Sequence, residues 1–144
     1  NYPNSHLPDR MNVIPIHTFQ DVFIANREYY PELTERTISL KELLQHPILM
    51  LDRKSTTSEF LHHLFQQHQL DLVPEIELGS NDLLIDLANI GLGIAFVPDY
   101  CLTEPGNLFQ VQIEEALPTR ELVIAHNAHL PVPQAARAFI QFFA

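Results

Sequence analysis

Residues 74–98 read Pro-Glu-Ile-Glu-Leu-Gly-Ser-Asn-Asp-Leu-Leu-Ile-Asp-Leu-Ala-Asn-Ile-Gly-Leu-Gly-Ile-Ala-Phe-Val-Pro. The stretch spells a strand, a polar turn, a helix, a second turn and another strand. Val73 to Leu78 predicts the first strand, with Pro74 near its start, where a missing N–H is tolerated. Gly79 and Ser80 form the turn, and the Ser80 hydroxyl suits a helix cap. The helix runs to about Ile90, with Leu83, Leu84 and Leu87 on the core side. Gly91-Leu-Gly93 ends it. Ile94 to Val97 is then apolar at every position. A short strand without polar alternation is one covered on both faces, which is the α/β arrangement.

The flanking sequence continues the alternation. Ser39-Leu-Lys-Glu42 has the form of a capping box, and the helix it opens must stop before Pro47. Ile48 to Leu51 is a short buried strand. Thr56 to Glu59 offers a second capping box, followed by a helix with Phe60, Leu61, Leu64 and Phe65 on one face. Pro98 and Asp99 start a short helix through Leu102. Met11 to Ile16 and Asp21 to Ala25 read as two strands, Leu108 to Ile113 and Glu121 to His126 as two more. Asn1 to Arg10 is polar loop. An amphipathic helix from about Pro133 closes the chain, expected to bury Ala136, Phe139, Ile140 and Phe143. Strands alternating with helices give an α/β fold.

Composition removes several functions. The 144 residues are 46% hydrophobic and 18% charged, enough for a folded domain. The net charge of −10 repels phosphates, so the stretch is a poor binder of nucleic acid or anionic membrane. A single cysteine, Cys101, excludes an intrachain disulfide and a multi-cysteine zinc site. No apolar run is long enough to span a membrane. The chain opens at Asn1 with neither a basic segment nor an apolar signal core, which reads as a piece of a cytosolic protein.

Catalytic and metal patterns are weak. His62 and His63 are adjacent and point apart on a helix, and no histidine pair has the i, i+4 spacing of a helical zinc site. Asp82 and Asp86 share a helix face, best read as hydrated surface. Ser80 lacks the second glycine of a nucleophile elbow. Cys101 has no adjacent base, so buried and inert is its default. Gly91 and Gly93 follow a helix where a dinucleotide loop would precede one. No cofactor is expected. Two strand-to-helix turns remain, residues 51–57 and 78–82. Each sets free amides and small hydroxyl or amide side chains at a helix start, where oriented N–H groups attract anions.

The run 74–98 closely resembles the effector-binding domain of LysR-type transcriptional regulators. Other pieces agree in order. Phe19-Gln-Asp-Val-Phe-Ile-Ala resembles a crossover strand, and Ile38-Ser-Leu-Lys-Glu-Leu-Leu with Pro47-Ile-Leu-Met-Leu the start of a second lobe. Ser55 to Phe65 resembles its first long helix, and Ala135-Ala-Arg-Ala-Phe-Ile the closing helix. The resemblance implies Rossmann-like lobes of the type II periplasmic-binding-protein architecture. Residues 25–122 would form lobe two, and residues 1–24 with 123–144 the remainder of lobe one and the crossovers. It implies a cytoplasmic, non-enzymatic sensor that takes a small metabolite between the lobes. Phe19, Ser55, Thr56, Thr57, Gly79, Ser80 and Asn81 match its cleft positions. It further implies a homodimer or tetramer, DNA contact only through a winged helix-turn-helix outside these residues, and no membrane partner. Paired polar caps suggest an anionic effector. The alternative of the same architecture is a transporter's solute-binding protein. One departure is Pro131-Val-Pro133, where relatives place a Ser or Thr cap.

Overall fold

The computed structural model describes Asn1 and residues 7–143. Part of the loop expected over residues 1–10, namely residues 2–6, lies outside them. The chain divides into two compact units, residues 20–118 and residues 1–19 with 119–144.

The larger unit is an α/β sandwich built on one sheet. Its strands are β1 (Met11–Asn26, from Gln20 onward in this unit), β3 (Ile48–Leu51), β4 (Ile76–Leu78), β5 (Ile94–Pro98) and β6 (Leu108–Gln110). They lie in the order β4-β3-β5-β1-β6. β3 runs parallel to β4 and to β5, whereas β1 is antiparallel to β5 and β6. The helices are α1 (Leu40–Leu43), α2 (Thr56–Gln67) and α3 (Asn81–Asn89). A small parallel pair, β2 (Thr37–Ile38) and β7 (Gln112–Ile113), stands apart from the main sheet.

Alternation along the strands sorts the core into two layers. Phe23, Ala25, Ile48, Met50, Ile94 and Phe96 point to one face, where Leu40 and Leu43 of α1 and Leu61, Leu64 and Phe65 of α2 cover them. Val22, Ile24, Leu49, Ala95 and Val97 point to the other, beneath Leu84 and Ala88 of α3. Successive strand side chains alternate faces, so helices on both sides demand apolar residues at every position. Phe23 and Phe96, paired in register, meet at 4.7 Å between ring centroids.

The two glycines after α3 have separate causes. Gly91 takes φ +85°, and the Gly91 and Leu92 N–H groups donate back to Ala88 and Leu87, which closes the helix in a Schellman motif. Gly93 serves close approach: a Cβ there would stand 2.6 Å from the Pro47 carbonyl oxygen, which accepts the Ile94 N–H at 2.8 Å.

The smaller unit holds the first part of β1, β8 (Thr119–Asn127), which pairs with β1, and α4 (Gln134–Phe142). The Ala128 N–H donates to the Arg10 carbonyl at 2.9 Å. Phe19 is 2% exposed, with the Arg120 guanidinium 5.4 Å from its ring centroid.

Several local expectations need correction. Met11 to Ile16 and Asp21 to Ala25 are one continuous strand, because His17 to Gln20 keep extended backbone between them. Leu108 to Ile113 is two short strands that pair with different partners. The strand expected from Val73 begins only at Ile76. Leu83 faces outward, and the buried residues of α3 are Leu84 and Ala88. No residue of α4 is buried, and Phe139 is 57% exposed. The short helix after Pro98 is a single 3-10 turn, Asp99–Cys101.

Candidate functional site

Strand register decides where the two polar strand-to-helix turns stand. Leu51 and Leu78 are partners at the ends of parallel strands β3 and β4. The turns that follow therefore leave the sheet side by side. Their backbones are also joined, since the Asp52 N–H donates to the Leu78 carbonyl at 3.0 Å. In open α/β sheets this carboxyl edge of the strands is where ligands bind.

The first turn is closed by Asp52. Its Oδ1 accepts the Lys54 N–H at 3.1 Å, and its carbonyl accepts the Ser55 N–H at 3.0 Å. Ser55 caps α2, its hydroxyl accepting the Ser58 N–H at 3.0 Å. The cap expected at Thr56 thus falls one residue earlier. Thr56 becomes the first helical residue, half-buried, and Thr57 is buried.

The second turn mirrors the first. Ser80 caps α3, accepting the Leu83 N–H at 3.3 Å. Gly79 is exposed, and a Cβ there would come no closer than 3.6 Å to Asp52 Oδ2. Asn81 opens the helix, and its Oδ1 is shielded from solvent without a hydrogen-bond partner. The structure therefore brings Ser55, Thr56 and Thr57 to the strand end beside Gly79, Ser80 and Asn81. Phe19, the remaining expected site residue, belongs to the smaller unit and lies beneath Arg120.

Asp52 was not among the expected site residues. Its signal was present as the first polar residue after an all-apolar strand, but its nearness to Gly79 depends on long-range register.

Charge at the turns is mixed. Arg53 and Lys54 are exposed, and Arg53 Nε lies 4.0 Å from Glu77 Oε1. Each helix also carries an acidic residue in its first turn, Glu59 in α2 and Asp82 in α3. Beside α3 a cavity of about 220 Å³ is lined by Asp82, Asp86, Cys101 and Glu104 among others. Burial pushes the Cys101 thiol above its ordinary value near 9, and the carboxylates of Asp82, Asp21 and Asp99 push it further. Among the described residues, no group of three or more His, Cys, Asp or Glu side chains could hold a metal ion. No helix there is long and apolar enough to cross a membrane.

Comparison with known proteins gives this geometry a context. The sequence pattern of the LysR substrate binding domain matches residues 2–144. The chain is 32% identical over 85 residues to the HTH-type transcriptional activator CmpR of Synechocystis sp.. That match covers 59% of this chain and 28% of CmpR, so it spans little more than a quarter of that relative's length. Among solved structures, the CcmR regulatory domain of Synechocystis in complex with 2-PG superposes with a TM-score of 0.85 at 24% identity, covering 97% of this chain and 69% of that one. The effector-binding domain of QuiR in complex with shikimate gives 0.82 at 15%, covering 96% and 66%. At these identities the superpositions speak for the fold, that of the type II periplasmic binding proteins. With the family pattern running over the whole described chain, this protein belongs to the LysR substrate-binding domain family, the effector domains of LysR-type regulators.

Proposed function

We propose that this chain is the inducer-sensing part of a LysR-type transcriptional regulator, and that it binds a small carboxylate metabolite at the paired turns of the larger unit. The carrying observation is the Leu51–Leu78 register, which puts two capped helix starts next to each other on the carboxyl edge of one sheet. Helix-start backbone, with Gly79 and the small side chains of Ser55, Thr56, Thr57, Ser80 and Asn81, then offers polar groups to one ligand. The relative bound to shikimate fits a small acidic effector. The match to regulator domains favours sensing over solute transport.

The compact unit of residues 20–118 supports reading residues 25–122 as lobe two, with residues 1–24 and 123–144 as the remainder of lobe one and the crossovers. The protein does no chemistry in this reading. Binding favours one arrangement of the regulator over another, by as much as the ligand's affinity differs between them. Helix-turn-helix heads elsewhere in the parent protein read the DNA. The regulator is cytoplasmic and works as a homodimer or tetramer, to be checked by light scattering on the intact protein.

Calorimetric titration of carboxylate metabolites into the intact regulator tests the proposal. Heat of binding from acids, reduced in T56A and S80A by about 1 kcal/mol or more per lost bond to a charged partner, is the expected result. Binding confined to neutral or cationic compounds refutes it.

A further inference from the structure

The paired turns are less welcoming to bare negative charge than helix starts usually are. Asp52 holds one carboxylate oxygen on the Lys54 N–H, while the other leans toward Gly79, 3.6 Å from where a Cβ would stand. A negative charge is thus lodged between the two turns. Glu59 and Asp82 occupy the first turns of the two helices, and Glu77 takes up part of the charge of Arg53. Arg53 and Lys54 are therefore outnumbered by Asp52, Glu59, Glu77 and Asp82. The wider field has the same sign, because every acidic residue except Asp9 and Glu121 lies in this unit.

We propose that Asp52 is the specificity-determining residue of the site, selecting effectors that carry a hydroxyl or ammonium donor beside their carboxylate and rejecting dianions. The inference rests on the sensing reading above. A donor on the ligand turns Asp52 from a repelling neighbour into the acceptor of a charge-assisted hydrogen bond, roughly twice as strong as a neutral one. A phosphorylated acid adds negative charge and offers Asp52 nothing.

NMR titration of the ¹⁵N-labelled 144-residue chain tests this, with propionate, lactate, alanine and inorganic phosphate as probes. The amides of residues 52–57 and 79–83 are followed. Lactate and alanine are expected to bind about fivefold or more tighter than propionate, with phosphate weakest, as a charge-assisted bond implies. Asp52→Asn keeps an oxygen for the Lys54 N–H, so the turn survives. In it the lactate and alanine advantage should fall within about twofold, and phosphate should tighten about tenfold, one like charge having been removed. Asp52→Ser repeats the measurement with a different turn-former should the amide disturb folding. Unchanged preferences in both variants overturn the role of Asp52 and leave the sensing site standing. Silence of these amides toward all four probes in the wild-type chain overturns the site itself, and the inference with it.

Discussion

Replacing Gly93 by alanine tests whether close approach at the start of β5 holds the larger unit together. The new methyl group would stand 2.6 Å from the Pro47 carbonyl oxygen and 3.1 Å from both the Pro47 Cβ and a Leu49 methyl. The first of these is backbone and cannot swing aside. It is also the acceptor of the 2.8 Å bond from Ile94, while the neighbouring Ile48 carbonyl is held by Glu75 at 2.9 Å. Relief must therefore part β5 from the residues leading into β3. Overpacking of this kind costs roughly 1–3 kcal/mol, and the weakened Ile94 bond adds about 1 kcal/mol. The sum, about 2–4 kcal/mol, is a large share of the ~5–15 kcal/mol that separates folded from unfolded domains. Urea unfolding followed by tyrosine fluorescence reports on this unit, which contains Tyr29, Tyr30 and Tyr100. At a slope of about 1.5 kcal/mol/M the midpoint should fall by roughly 1.3–2.7 M. Gly79→Ala is the internal control, since its nearest neighbour would be at ordinary contact distance, 3.6 Å. It should stay within about 0.5 kcal/mol of wild type. Equal midpoints for the two variants would refute the packing argument.

Three further outcomes are expected. Ser55→Ala and Ser80→Ala each remove a cap that accepts one amide, and each should lower unfolding stability by about 1 kcal/mol in the same urea assay. Phe142→Glu, at a position 83% exposed in α4, should change stability by no more than about 0.5 kcal/mol and lower binding of a hydrophobic dye. Burial and the three nearby carboxylates disfavour the charged form of Cys101, so its thiolate fraction at pH 8 lies below that of free cysteine. Alkylation should be correspondingly slow, with its rate rising only above pH 9, and Asp82→Asn should move that rise to lower pH.

What could be read in the sequence was whatever local chemistry decides. The apolar runs 48–51 and 94–97 announced strands covered on both faces, and the sorting of their side chains into two layers follows from that pattern alone. Ser39 and Ser80 announced helix starts because a cap is a contact between neighbours in sequence. The cap of α2 was misplaced by one residue: Thr56 with Glu59 fits the capping-box pattern, but Ser55 takes the cap by accepting the Ser58 N–H. Long-range pairing was out of reach. Nothing local shows that β1 passes unbroken through His17 to Gln20, or that Leu51 lies beside Leu78. The turn residues of the proposed site could be named because caps are local, whereas the place of Asp52 beside Gly79 is a matter of register. In α4 the apolar period was visible, but period alone does not say what a face packs against.

The two-sided core has an evolutionary corollary. Every side chain of β5 from Ile94 to Val97 is committed to one layer or the other, so mutation there is punished whichever way it points. In the turns that leave the strand ends the burden is uneven: Asp52, Ser55 and Ser80 hold backbone amides, whereas Arg53, Lys54 and Gly79 are exposed and can be exchanged without disturbing either layer. If the proposed sensing site is at these turns, its chemistry can change at such positions while the framework stays constant.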